Sequence, residues 1–213
     1  MKMDLLDQEI IALLYEDGRM KLTDIGNELG KVLEDKDHLS HVAVQKRLSK
    51  LLENNIIKVQ ANLNIAQLNY ISATILIETK EYDAQKRIIE RFRLCPRIVA
   101  MDQVSGKYNL ILRAMAPDLK EMDCFLNMCW LKHEEGIRNY DIYISTTNIK
   151  PKFLPLQVIS HPNKRTGVAP CGFRCNMCDL YKTNTCKGCP ATHFSDTQTE
   201  MQNAKAIAEK NGT

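Results

Sequence analysis

The sequence predicts an α+β protein in three parts: an N-terminal set of three short helices followed by a strand, a ferredoxin-like βαββαβ domain, and a small C-terminal Cys-rich module. Three observations carry this. Residues 5–54 keep the apolar spacing of short helices. Residues 72–147 alternate strand-like and helix-like periods in the order β-α-β-β-α-β. Five of the eight cysteines, Cys171, Cys175, Cys178, Cys186 and Cys189, crowd into one short segment. The corresponding boundaries are 1–64, 65–150, a Pro-rich linker at 151–170, the Cys module at 171–190 and a polar tail at 191–213.

The first helix is expected over Leu5–Tyr15, where Leu6, Ile10, Leu13 and Leu14 share a face and Asp17-Gly18 stops the chain. A second fits Leu22–Leu29, ended by Gly30, and a polar stretch, Lys31–Leu39, follows. The third fits Ser40–Asn54, with Ser40 as N-cap and Val44, Leu48, Leu51 and Leu52 as its apolar stripe. Ile56–Leu63 reads as a strand leaving the helices. Ser72–Glu78 is strand-like and rich in Ile and Thr. Tyr82–Phe92 is helical, closed by Cys95-Pro96. Ile98–Val104 and Tyr108–Ala114 read as strands around the turn Ser105-Gly106-Lys107. Asp118–Lys132 is helical after Pro117, and Ile137–Thr147 closes the sheet. Four of the seven prolines (Pro151, Pro155, Pro162, Pro170) mark the linker. Met201–Asn211 fits one short helix in the tail.

Composition is that of a folded chain, 44% hydrophobic and 26% charged. No apolar run approaches the ~20 residues of a membrane span. The first twenty residues carry acids inside their apolar stretch, unlike a secretory signal. A cytoplasmic protein without membrane partners is expected. The net charge of +3 is unevenly spread: residues 150–190 hold the basic excess, with Asp179 their one acid. There is no Gly-rich phosphate loop, no H-E-x-x-H and no nucleophile–base pair, so no enzyme is expected.

The third helix has the split that a recognition helix needs. Its inner stripe is apolar, and its outer face offers Ser40, His41, Gln45, Lys46 and Lys50 to base edges and phosphates. Arg47 is expected either on phosphate or bracing the fold. Double-stranded DNA is the partner this face implies. An ordinary solvated helix of a bundle would share the same pattern.

Residues 4–158 resemble the leucine-responsive/AsnC (feast/famine) transcription regulators. The resemblance rests on Leu5-Leu6-Asp7, Ile10–Leu14, Asp17-Gly18-Arg19, Ile25-Gly26 and Ser40-x3-Val44-x2-Arg47-Leu48-x2-Leu51. It continues through Asn54–Ile57, Ala61-Asn62-Leu63, Val104-Ser105-Gly106, and Thr147 ahead of Lys150. It implies a winged helix-turn-helix joined to a ferredoxin-like sensor and oligomerisation domain, a homodimer associating further, usually to octamers, and an effector loop at Gly106 and Asn109. Two departures stand out. Lys31–Leu39 lengthens the connection between the second and third helices and adds Glu34, Asp35 and Asp37, which repel phosphate. Asn109 stands where the family's loop carries an acid, so no charge is there to pair an α-amino group.

The Cys module reads Cys171-x3-Cys175-x2-Cys178-x7-Cys186-x2-Cys189. A C-x2-C pair lets two thiolates of one turn reach one metal, and two such pairs complete a tetrahedron. The fifth thiol and Cys189-Pro190 favour a [4Fe–4S] cluster, with zinc as the alternative. A metal–thiolate centre carries net negative charge that the local basic excess would offset. His193 is a candidate ligand more simply read as surface. Cys95, Cys124 and Cys129 are expected to be small core residues, and Met128 and Trp130 helix packing. The leading expectation is a DNA-binding regulator controlled by a cluster. A small-molecule-responsive regulator with a structural zinc site, or an accessory metal protein using its helices for protein contacts, would share these features.

Overall fold

The computed structural model describes residues 3–32, 39–128, 135–156 and 165–195. The chain divides into two compact units, Met1–Ala61 and Asn62–Thr213.

The first unit is three helices: α1 (Leu5–Glu16), α2 (Leu22–Val32) and α3 (His41–Glu53). Ile10, Ile25, Leu29, Val44 and Leu51 are fully buried where they meet. Each such side chain contributes roughly 1.5–3 kcal/mol by leaving water. Asp4 caps α1 in a reciprocal capping box with Asp7. Ser40 caps α3, accepting from the Ala43 N–H at 3.3 Å. Gly26 lies so near the entry to α3 that a Cβ there would fall 2.2 Å from the Leu39 carbonyl oxygen. This backbone approach is what packs α2 against α3. Residues 33–38 of the acidic connection lie outside the described residues.

The wing does not form as expected. The α3 helix ends in a Schellman motif: Asn55 adopts φ 53°, its N–H bonds the Leu52 carbonyl at 3.0 Å, and the Ile56 N–H bonds the Leu51 carbonyl at 2.9 Å. Ile56 is therefore spent on the cap rather than on a strand. Among the described residues the first unit holds no strand. The segment expected to be a strand over Ile56–Leu63 contributes only β1 (Leu63–Asn64), which belongs to the second unit.

In the second unit β2 (Ile71–Thr79), α4 (Tyr82–Phe92), β3 (Ile98–Gln103), β4 (Leu110–Ala116), α5 (Leu119–Met128) and β5 (Ile137–Ile144) follow in the anticipated order. The sheet is antiparallel, in the order β3-β4-β2-β5, with Ile75 opposite both Leu112 and Ile142. Residues 129–134, with Cys129 and Trp130, lie outside the described residues. Ala84, Gln85, Ile88 and Phe92 bury one face of α4. Asp118 caps α5, accepting from the Glu121 N–H at 2.7 Å.

Strand alternation decides which side chains meet the helices, and it reverses one sequence expectation. Ile75, Ile77, Ile111 and Ile144 read as the apolar surface through which the sheet pairs with a second copy. Ile75 and Ile77 are instead wholly buried in the core with Ile88, Phe92 and Met122. Ile144 is opposite Ala73 on that same side. The open face carries Thr74, Leu76, Glu78, Ile111, Arg113, Asp141 and Tyr143, a mixed surface.

The linker is likewise partly structural. Within 151–170, β6 (Phe153–Leu154) pairs antiparallel with β1, and Leu156 is buried with Ile65 and Met115. Thr166 forms a parallel bridge with Thr192, and Ala169 is buried. The module thus extends past residue 190: Thr192 and Ser195 are buried, and Phe194 packs edge-on against Tyr181 with ring centroids 5.8 Å apart. Residues 157–164 and 196–213 are outside the described set, including the helix expected at Met201–Asn211.

Candidate functional site

The outer face of α3 is built as the amphipathic pattern requires. Val44 and Leu51 point into the helical core. Ser40, His41, Gln45, Lys46 and Lys50 are all exposed. Among the described residues neither Lys46 nor Lys50 has an ion-pair partner.

Arg47 stands apart from that face. Its Nη1 donates to Asp4 Oδ2 and Asp7 Oδ1, each at 2.8 Å. Of the two roles expected for it, the geometry gives bracing: it ties α3 to the capping box of α1. The backbone N–H of Asp7, then the Arg47 guanidinium, hold the Asp4 carboxyl below its ordinary value. Stability from a lowered carboxyl is present above its unfolded pKa and is lost as pH falls through the folded one. Acid therefore loosens α3 from α1. Asp7→Ala removes both a capping partner and the less exposed carboxylate of the pair. It should lower the stability of the helical unit by about 1–2 kcal/mol, read as a lower urea midpoint at unchanged m-value.

Asn109 is consumed internally: its Oδ1 accepts from the Thr79 N–H at 3.0 Å and the Thr79 hydroxyl at 3.1 Å, and its Nδ2 donates to the Thr79 carbonyl at 3.3 Å. Its backbone carbonyl accepts from Gln85 Nε2 at 2.7 Å. The side chain thus pins the β4 entry to the end of β2 instead of facing a ligand. Gly106, at φ 149°, supplies the turn.

The five module cysteines come together. The N–H of Gly188 points at Cys186 Sγ at 3.4 Å, the amide-to-sulfur contact of a thiolate knuckle. Gly188 adopts φ 80°, and a Cβ there would fall 2.4 Å from the Phe194 carbonyl oxygen, so glycine is required. The seven residues between Cys178 and Cys186 are one helical turn, α6 (Asp179–Lys182), and its cap. Asn184 at φ 55° closes a second Schellman motif, with N–H bonds from Asn184 to Tyr181 and from Thr185 to Leu180. That geometry turns the chain back and returns Cys186 toward Cys178.

All five thiols line one cavity of about 340 Å³. Cys124 is buried and Cys95 packs against the sheet core, as small core residues do, and both also line this cavity from the ferredoxin-like side. Cys124 Sγ also reaches the Thr185 carbonyl at 3.5 Å. His193 is exposed and does not line the cavity. Among the described residues no three candidate donors converge at the spacing of a single ion. Burial pushes the Cys95 and Cys186 thiols up to about 11 and Cys189 up to about 12. At neutral pH these are protonated thiols rather than nucleophiles.

Sequence reasoning missed the charged seam beneath the cavity. Arg97 is 7% exposed and Glu121 2%. Arg97 Nη2 donates to Glu121 Oε2 at 2.7 Å and to the Gly188 carbonyl at 3.1 Å. Glu121 Oε1 accepts from the Lys187 N–H at 2.7 Å. Burial opposes the guanidinium charge, but Glu121 and the nearby Cys186 and Cys189 outweigh it, and the Arg97 pKa is raised. Among the described residues Arg97 Nη1 is buried without a hydrogen-bond partner. The only sequence signal for this seam was an acid in the first turn of a helix with an apolar stripe.

Residues 72–154 match the family model of the Lrp/AsnC ligand binding domain. An uncharacterized HTH-type transcriptional regulator of Pyrococcus horikoshii is 23% identical over 68% of this chain and 87% of its own length. The HTH-type transcriptional regulator FL11 of Pyrococcus furiosus is 27% identical over 59% of this chain and 79% of its own. The crystal structure of an AsnC family transcriptional regulator from Agrobacterium tumefaciens superposes with a TM-score of 0.59 at 25% identity, covering 70% of this chain and 94% of that one. Both Pyrococcus relatives are named as HTH-type transcriptional regulators. The Lrp/AsnC match ends at residue 154, ahead of the five module cysteines, and includes Cys95, Arg97 and Cys124 from the other side of the cavity. No helix among the described residues is long and apolar enough to cross a membrane.

Proposed function

We propose that the chain is a sequence-specific transcription regulator whose DNA binding is controlled by a [4Fe–4S] cluster in the Cys-rich module, making it a redox, oxygen or iron sensor of the cytoplasm. Lys46 and Lys50 engage phosphates, and His41 and Gln45 reach base edges from an α3 whose N-terminus Ser40 holds. The protein binds double-stranded DNA as a homodimer that assembles further, up to an octamer, with half-sites about 34 Å or a multiple apart. The open sheet face, with Leu76, Ile111 and Tyr143 among charges, is the pairing surface in this reading.

The observation that supports a cluster is the thiol-lined cavity of about 340 Å³. A lone four-coordinate ion holds its sulfurs about 2.3 Å away and needs no such space. Four of Cys171, Cys175, Cys178, Cys186 and Cys189 would hold the cluster, which supplies one-electron redox chemistry and sensitivity to oxygen. The Gly188 N–H, the basic excess of the module and the buried Arg97 suit an anionic sulfur centre.

A second reading has its own support. The pairs Cys175/Cys178 and Cys186/Cys189, with the Gly188 amide on Cys186 Sγ, also suit a structural zinc site. The protein would then answer a small molecule through the Lrp/AsnC domain.

Anaerobic purification of the full chain tests both. The expected result is iron and sulfide in equal amounts, a broad visible band, and retention of one sequence class from a random DNA pool. Zinc without iron overturns the cluster in favour of the second reading, and failure to retain any DNA overturns the regulator. Cys175→Ser should abolish the metal and change operator affinity. Equal affinity for this variant and the anaerobic wild type would leave the module purely structural.

A further inference from the structure

We infer that Arg97 is a positioning residue of the thiol centre, its free Nη1 donating to the centre's sulfur atoms while Nη2 ties that centre through Glu121 to the ferredoxin-like sheet. The inference rests on the proposed cluster and extends it: the site belongs to both modules, not to the Cys-rich segment alone.

The geometry carries it as follows. Arg97 lines the cavity together with all five module cysteines and with Cys95 and Cys124 from its own side. Its Nη2 is committed twice, to Glu121 Oε2 and to the carbonyl of Gly188, the residue before Cys189. Its Nη1 is buried and has no hydrogen-bond partner among the described residues. An unpaired buried donor of a charged group is costly; beside the Phe125 ring, whose centroid is 6.0 Å from the guanidinium carbon, an acceptor in the cavity would satisfy it. A metal–thiolate centre carries negative charge spread over sulfur, and a guanidinium is the weakly hydrated planar donor suited to it. Glu121 fixes the guanidinium plane and takes the Lys187 N–H, so the loop that carries Cys186 and Cys189 hangs on the same carboxylate.

The connection runs onward through the backbone. The Arg97 carbonyl accepts from the Met115 N–H at 2.8 Å, at the end of β4, and Glu121 sits in the first turn of α5. A change of charge at the centre is thus felt by one ion pair joined to two elements of the Lrp/AsnC domain. The site's occupant is an anionic metal–sulfur centre.

The test compares the wild-type full chain with Arg97→Gln, Arg97→Lys and Glu121→Gln, purified anaerobically. Iron and sulfide are counted, and the one-electron midpoint potential is titrated spectroscopically. Removing the cation favours the oxidised centre, so Arg97→Gln should move the ratio of oxidised to reduced form at least tenfold at fixed ambient potential, 59 mV more negative. Glu121→Gln removes the opposing charge and should move it the other way. Arg97→Lys keeps the charge without the planar fork, should fall between wild type and Arg97→Gln, and supplies the measurement if Arg97→Gln does not load. Loaded variants with the wild-type potential, or shifts of the same sign for Arg97→Gln and Glu121→Gln, would overturn the inference while the cluster stands. A wild type without iron overturns the cluster itself, and the role of Arg97 with it.

Discussion

Glu121→Ala should destabilise the second unit by about 3–5 kcal/mol, the loss expected when one partner of a buried ion pair is removed. The cause is what remains. Arg97 keeps its charge at 7% exposure, now with neither hydrogen-bond partner on the carboxylate nor water, and the Lys187 N–H loses its acceptor. The Cys-rich segment is held to the sheet largely by this seam and by the apolar cavity wall. The loss should therefore appear first as undocking: faster amide exchange over residues 165–195, and maleimide labelling of Cys95 and Cys124 under conditions where the wild type is protected. Glu121→Gln keeps one acceptor oxygen for Arg97 Nη2 or the Lys187 N–H but sets an NH2 donor against the other, so it should recover only part of this loss. A Glu121→Ala protein with wild-type melting and unlabelled thiols would show that the module is held by packing alone.

What the sequence revealed depended on how local each feature was. The helices α3 and α4 were legible because an amphipathic spacing and a cap are short-range. Ser40 and the stripe from Val44 to Leu51 announce the first, and Tyr82–Phe92 matches the second at both ends. The wing strand was misread because Ile56 and Ile57 have strand propensity, yet Asn55 at φ 53° turns them into a helix cap. Strand alternation fixed that Ile75 and Ile77 share a face but not which face, since that depends on where α4 and α5 pack. The five clustered cysteines were legible as a group. The two that join them, Cys95 and Cys124, were not, because only docking of residues 165–195 brings the module to α5. Asn109 had the right position in a loop, but its carboxamide satisfies Thr79, a partner thirty residues away.

Replacing Lys46 and Lys50 together by Ala should weaken DNA binding and flatten its salt dependence by about one unit per lost phosphate contact, hence about two per protomer. Both side chains are exposed on the face of α3 opposite Val44 and Leu51, so their removal leaves the helical core intact and thermal stability near wild type. Arg47→Ala supplies the contrast. Its guanidinium is paired with Asp4 and Asp7, so this substitution should lower the stability of the helical unit and leave the salt slope little changed. The two outcomes separate the phosphate-binding cations from the bracing one on a single helix. Gel-shift titrations from 50 to 200 mM salt, alongside urea unfolding of the same proteins, measure both. If the Lys46→Ala/Lys50→Ala protein keeps the wild-type slope, the phosphate contacts lie elsewhere. The basic excess of residues 150–190 would then be the surface to neutralise next.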